Sequence, residues 1–502
     1  MLRPLPDSKW NFTTAAHLLN RAGFGGPPAA IERLVKLGLD GAVDWLVDYE
    51  KVSDPTKPPE WARPDPTRFE MAQANRRIRQ EVGKAGGEEL EAFERKRRER
   101  ARMERQEQNR QMIELRGWWL KRMAEGPRPL QEKLTLFWHG HFATSAQKVR
   151  DPYYMWLQNE TFRSRVSGGW FDLLSAVTRD PAMLLWLDQA QSHRRRPNEN
   201  YAREVMELFS LGEGNYTEQD VGEVARAFTG LTLDRRNQRF VYRPAMHDPG
   251  VKTVLGQTGN LDADAVLERI LAHPSAAPFI CGRLWRFFAS ENPPEGVVDA
   301  LAGVLRKHDL QFKPVLGTLF RSEEFYRDDV MRQQIKSPVQ WLVGGVRMLE
   351  RDLPAAPVAA ALLASMGQNL FAPPNVKGWD GGLSWITTNN LLARYNYTAV
   401  LVFGDLSVLR AAGGPMMGMR SQGASRRARD AGASVERILN DSDRARVDTL
   451  IAALERRLLQ SGLKEKQRQS LAGFLESRSG LSDDDLLHAI RLVMSTPEYQ
   501  LT

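Results

Sequence analysis

Apolar residues recur three and four positions apart along most of the chain, as in Ala15-Ala16-His17-Leu18-Leu19, Val221 to Phe228 and Leu301-Ala302-Gly303-Val304-Leu305. That spacing predicts helices, and its repetition between short breaks of Pro and Gly predicts an all-α protein with a multi-helix globular core. Only one patch alternates in the manner of strands. Gly230-Leu231-Thr232-Leu233-Asp234 and Arg239-Phe240-Val241-Tyr242-Arg243 flank a polar turn, which predicts a small β-hairpin delivering the chain to His247. Helix starts are marked by Thr13, by Asp151-Pro152 and by Thr217-Glu218-Gln219-Asp220, whose oxygens suit the free N–H groups of a first turn.

The polar positions divide the chain further. From Pro66 to Met123, with a break at Gly86-Gly87, charged residues dominate, and Phe93 to Arg105 mixes signs at helical spacing. A solvated helix supported by side-chain pairs has this pattern, so a protruding charged helical hairpin is expected over 66–123. It interrupts a helical core domain over 10–410. Gly, Ser, Met and Arg without period over 411–432 predict a flexible loop, and 433–502 reads as a C-terminal helical tail packing on the core. Leu301 to Tyr326 and Leu471 to Tyr499 echo one another loosely as a helix pair with a capped turn.

Composition narrows the chemistry. The 502 residues are 42% hydrophobic with 13 Trp and 20 Phe, enough for a sizeable core. Cys281 is the only cysteine, which excludes internal disulfides and cysteine-based zinc clusters. Lys and Arg exceed Asp and Glu by 70 to 62, but much of the excess sits in Glu94 to Arg122 and Arg420 to Arg429, without interleaved aromatics, so no specific nucleic-acid binding is expected. A signal peptide and a transmembrane run are both absent from the sequence, and a soluble, cytoplasmic protein is expected. No serine-nucleophile elbow, phosphate loop, His-Glu-x-x-His or dinucleotide fingerprint occurs.

Polar islands interrupt this apolar pattern. In Pro197 to Phe209, Glu204 and Glu207 share a helical face beside Arg203, so both carboxylates can enter one cavity; alternatively Glu199, Arg203 and Glu207 form a ladder of helix pairs. His139 and His141 flank Gly140, and with Glu204 and Glu207 they would make a mixed nitrogen and oxygen donor set that suits zinc, iron or manganese; alternatively they are satisfied core residues beside Trp138. His247, Asp248 and Lys252 surround Pro249-Gly250, either as an acid–base loop or as a capped turn. Phe371 to Gly382, stiffened by prolines, carries Asn375, Lys377 and Trp379 and would form one wall of a binding groove.

Together, the segments Phe137 to Ser145, Pro197 to Phe209, His247 to Thr253 and Phe371 to Gly382 resemble a bacterial family catalogued as domain of unknown function 1800, the match extending from His17 to Gly25 as far as Asn389 to Arg394. The resemblance implies no reaction. It suggests a partner, since relatives are frequently encoded beside a second family that looks like the phosphatase and sulfatase group. Two functions are therefore expected. The first is an enzyme, a metal-dependent hydrolase or oxidoreductase or an acid–base catalyst, working through Arg203, Glu204, Glu207, His247, Asp248 and Lys252 with a divalent metal on the two histidines and two glutamates. The second is a non-catalytic binding or assembly module acting with a phosphatase/sulfatase-like partner.

Overall fold

The charged stretch of the sequence becomes two long helices, α3 (Pro66–Ala85) and α4 (Gly87–Glu125), that pack on each other. The structure, a computed structural model, describes residues 2–85, 87–408 and 432–502; the loop expected over 411–432 lies outside the described residues except for Gly432. Before the charged pair come α1 (Phe12–Ala22) and α2 (Pro28–Val47), and after it α5 (Pro129–His141). The rest of the described chain is mainly helical, so the fold is all-α. Helix starts follow local chemistry: Asn11, two residues before Thr13, caps α1, Asp151 accepts from the Tyr153 N–H at 3.0 Å, and Thr217 and Asp220 form a reciprocal capping box.

The expected hairpin is present as β1 (Leu231–Asp234) paired antiparallel with β2 (Arg239–Tyr242), Leu231 opposite Tyr242. A second antiparallel pair, β3 (Lys252–Val254) with β4 (Gln257–Gly259), was not legible in the sequence. Each strand has only three residues, too few for an alternation to register.

The buried side chains form two hydrophobic cores. One gathers α1, α2 and residues from Phe162 to Val330. The other gathers the end of α4, residues Val339 to Val402 and the C-terminal helices from Val435 to Tyr499. The charged character of α4 ends where it enters this second core: Leu115, Trp119 and Leu120 are fully buried. Helix α5 lies along the seam, giving Leu130, Leu134, Phe137 and Trp138 to the first core and Leu136 to the second. All of its residues but Gly140 are buried, which is how a helix in the middle of a large protein reads.

One face of α5 is held by charge. Glu132, 2% exposed, accepts from Arg122 Nε and Arg163 Nε at 2.8 Å each and from Trp119 Nε1 at 2.9 Å, while Arg122 also pairs with Asp54 and Arg163 with Glu160. Both guanidinium groups lie against the Trp118 ring, at 5.2 and 5.0 Å. The carboxyl of Glu132 is thereby kept ionised against its own burial, and α4, α5 and the helix Pro152–Arg163 are joined through it.

A cationic cleft beside helix α5

Residues four apart on a helix share a face, and Lys133, Phe137 and His141 are such a series on α5. They line a cleft of about 380 Å³ together with Leu136 and Gly140. At 1.5 Å rise per residue the lysine and the histidine stand about 12 Å apart along the helix, at opposite ends of this wall. The helix Ala276–Phe288 supplies the facing wall through Arg283, Arg286 and Phe287, which have the same helical spacing. Phe137 and Phe287 meet across the floor with ring centroids 5.2 Å apart. Gln334 to Gln340 and the loop from Lys377 to Trp385 close the remaining sides.

That loop is seated by His139, which faces away from the cleft. His139 Nε2 accepts the Phe371 N–H at 3.0 Å, so the ring hydrogen is on Nδ1, and the ring packs against Trp119, Phe371 and Trp379. Gly378, at φ 88°, approaches so closely that a Cβ there would lie 2.4 Å from the Gly140 carbonyl oxygen. Only glycine at 378 lets the loop touch the end of α5.

The cleft is lined by four basic side chains, Lys133, Arg283, Arg286 and Lys377, with the side-chain carboxylates of Glu291 and Asp380 and the last residue, Thr502, and among the described residues none of the four basic side chains is ion-paired. Lys133, 7% exposed, donates to Gln340 Oε1 and lies 5.0 and 5.6 Å from the centres of the Phe24 and Phe287 rings. Burial, with the nearby Arg21 charge adding to it, holds its amine well below the usual lysine range. Arg283 lies over the Phe279 ring at 5.6 Å, and its Nε is buried without an acceptor.

His141 is buried and its Nε2 is 3.0 Å from the Phe209 carbonyl oxygen. A carbonyl only accepts, so Nε2 bears the hydrogen and Nδ1 keeps a lone pair, for which the protein provides no partner. Burial, and then the Arg283 charge, lower its pKa to about 3, the Phe209 carbonyl opposing them. The imidazole is therefore neutral at physiological pH, an acceptor of hydrogen bonds more than a base.

The other expected site residues are placed elsewhere. Arg203 forms a two-pronged pair with Glu218 at 2.6 and 2.8 Å, Glu207 accepts the Tyr216 hydroxyl at 2.7 Å, and Glu204 is half-buried, its carboxyl raised by burial and by Glu207. His247 Nδ1 bonds the Thr229 carbonyl at 3.0 Å. Asp248 is held by Arg226 at 2.8 Å and caps the Gly250 N–H, and Lys252 Nζ donates to the Asp248 and Gly250 carbonyls. Hydrogen bonds from Arg226 bring the Asp248 carboxyl down to about 2. Asn375 turns its own loop by accepting the Lys377 N–H at 2.8 Å. Among the described residues, His139, His141, Glu204 and Glu207 do not assemble, and no group of three or more His, Cys, Asp or Glu side chains is gathered as for a metal. The reason is geometric: on a continuous α5 the two histidines point in different directions, one into the loop and one into the cleft. Of the expected site residues, the cleft takes His141, Lys377 and Trp379.

Lys133, Arg283, Arg286 and Glu291 are not among the residues expected from the sequence; the available signal for Lys133 is its register with His141, eight positions on along one helix.

The sequence model of the family described as "Protein of unknown function (DUF1800)" matches residues 17–501. No curated protein and no solved structure matches the chain.

Proposed function

We propose, for a chain that belongs to the family of proteins of unknown function DUF1800, that it binds a small anionic molecule in the cleft beside α5 and acts on it by acid–base chemistry of its own side chains. The observation that carries this reading is the excess of cations in a ligand-sized cavity, with the buried Arg283 Nε lacking an acceptor. An unsatisfied buried donor costs about 1–3 kcal/mol, and an anionic ligand would recover that cost. The cavity lies within the range of volumes that small-molecule sites occupy. Arg286 and Lys377, both exposed, would draw the anion to the rim. Deeper in, His141 Nδ1 would accept a hydrogen bond that orients the anion beside Arg283, and Lys133, at the other end of the wall, would exchange a proton with the far end of a substrate long enough to span it.

Titration calorimetry with oxalate and with inorganic phosphate at low ionic strength tests this reading. One-to-one binding to the wild type, weakened at least about tenfold, or 1.4 kcal/mol, in Arg283→Gln, is expected. Absence of binding by either anion contradicts it.

The alternative is a non-catalytic module acting beside a phosphatase/sulfatase-like protein. It is favoured by the apolar side chains exposed on the segment from Gly382 to Phe403, Leu383 at 74%, Leu392 at 60% and Tyr395 at 51%. A Leu383→Ser, Leu392→Ser variant that loses a partner but retains anion affinity would select it.

A further inference from the structure

The α5 wall of the cleft ends at His141 among aromatic rings. Phe137 stacks on the imidazole with centroids 5.8 Å apart, and Trp138, Phe142, Phe209 and Phe279 surround it at 4.6 to 6.3 Å. None of them supplies a donor: four have carbon edges only, and Trp138 Nε1 gives its hydrogen to the Val166 carbonyl at 2.9 Å. With Nε2 committed to the Phe209 carbonyl, the buried Nδ1 lone pair has no partner in the protein. The charged neighbour is Arg283. Its guanidinium carbon lies 5.6 Å from the centre of the Phe279 ring, the same ring that borders His141, and its charge is felt by the imidazole. Arg283 Nε is in the reverse condition, a buried donor without an acceptor.

An unpaired acceptor and an unpaired donor at one end of one cleft restrict what can fill it. An anion without a hydrogen to give answers Arg283 but brings a lone pair against the lone pair of Nδ1. An ammonium group would donate to Nδ1, yet it would stand beside a guanidinium of the same charge. A hydroxyl group donates without charge, and a carboxylate carried on the same molecule answers the arginine. We propose that the His141 end of the cleft takes a short hydroxy acid, its carboxylate held by Arg283 and its hydroxyl donating to His141 Nδ1. This rests on the anion-binding reading of the cleft and names the class of anion. Oxalate remains a ligand of Arg283, but a weaker one. A site that offers a buried acceptor to a hydroxyl rejects the analogue lacking it, because the acceptor is then left unpaired.

The test is titration calorimetry of the full chain, at neutral pH and low ionic strength, with glycolate against acetate and with 3-hydroxypropionate against propionate; glycine and oxalate are the controls. In at least one pair the hydroxy acid is expected to bind at least about tenfold tighter than the acid without the hydroxyl. Glycine is expected to bind no tighter than acetate, and Arg283→Gln to weaken both members of the preferred pair. His141→Phe is expected to bind the two members of that pair equally. A wild-type crystal grown with the preferred hydroxy acid reads the same contact without a variant: its hydroxyl oxygen is expected within hydrogen-bond distance of His141 Nδ1. Equal affinity within both pairs in a protein that binds oxalate overturns the hydroxy acid and leaves the anion cleft standing. Glycine bound tighter than glycolate also overturns the hydroxyl. A preference that survives in His141→Phe, or a hydroxyl turned away from Nδ1 in the crystal, overturns the role given to His141. Absence of binding by every one of these acids, oxalate included, overturns the hydroxy acid and the anion cleft together.

Discussion

Individual residues on α5 have opposite duties, decided by which side of the helix they occupy. Glu132 faces two arginines and is structural. Its replacement by alanine leaves Arg122 and Arg163 buried with one carboxylate partner each, Asp54 and Glu160, and a loss of about 3 kcal/mol is expected in urea denaturation. A loss below about 1 kcal/mol would show that the outer pairs suffice. His139, two residues from His141, is a loop anchor whose pKa burial lowers from 6.5 to about 3. Because the native ring stays neutral while the unfolded ring takes a proton below 6.5, the contribution to stability is complete above that value and is lost as pH falls towards 3, at about 1.4 kcal/mol per pH unit. His139→Asn retains an acceptor for the Phe371 N–H without titrating in this range. Its stability is expected to fall less steeply than wild type between about pH 6 and pH 4, by about that slope. Parallel curves would mean that His139 is already protonated or exposed. The sequence could place both histidines on one helix but not tell their duties apart, since the Phe371 N–H that claims His139 lies 232 positions away.

At the level of elements, local signals were legible and junctions were not. Capping residues and apolar periodicity located the helices, and the alternating patch located β1 and β2, because each pattern is contained within a few residues. The Trp118-Trp119-Leu120 cluster reads as core in the sequence, but the charged composition of 66–123 hides where along α4 apolar burial begins, which is at Met112. Replacing residues 67–107 with a short Gly-Ser linker is therefore expected to leave a cooperatively folded protein, while extending the deletion through Met123 removes Leu115, Trp119 and Leu120 and abolishes folding. Equal thermal unfolding of the two deletions would refute the boundary. The prolines of Phe371 to Gly382 mark a stiff loop in the sequence, but its seat on Gly140 has no local signal. Gly378→Ala should displace it and weaken oxalate binding by about tenfold, or 1.4 kcal/mol, with little change in the melting of the core. Unchanged affinity would mean that the loop does not shape the cleft.

Across the whole molecule, the cleft forms where the two hydrophobic cores fail to merge, and α5 is buried along that seam because both cores claim part of its surface. Such a site draws on segments far apart in the chain, around Lys133, Arg283 and Lys377, so a single sequence holds no spacing by which to find it. In the polar islands of the sequence, Arg203 pairs with Glu218 and Asp248 with Arg226, each joining one segment to another. No described helix is long and apolar enough to cross a membrane. The central claim is that the seam is an anion site, and a crystal soaked in selenate and measured at the selenium edge tests it most directly. The account predicts an anomalous peak in the cleft beside Arg283, lost in Arg283→Gln; selenate bound only outside the cleft, or a peak that survives the substitution, would contradict it.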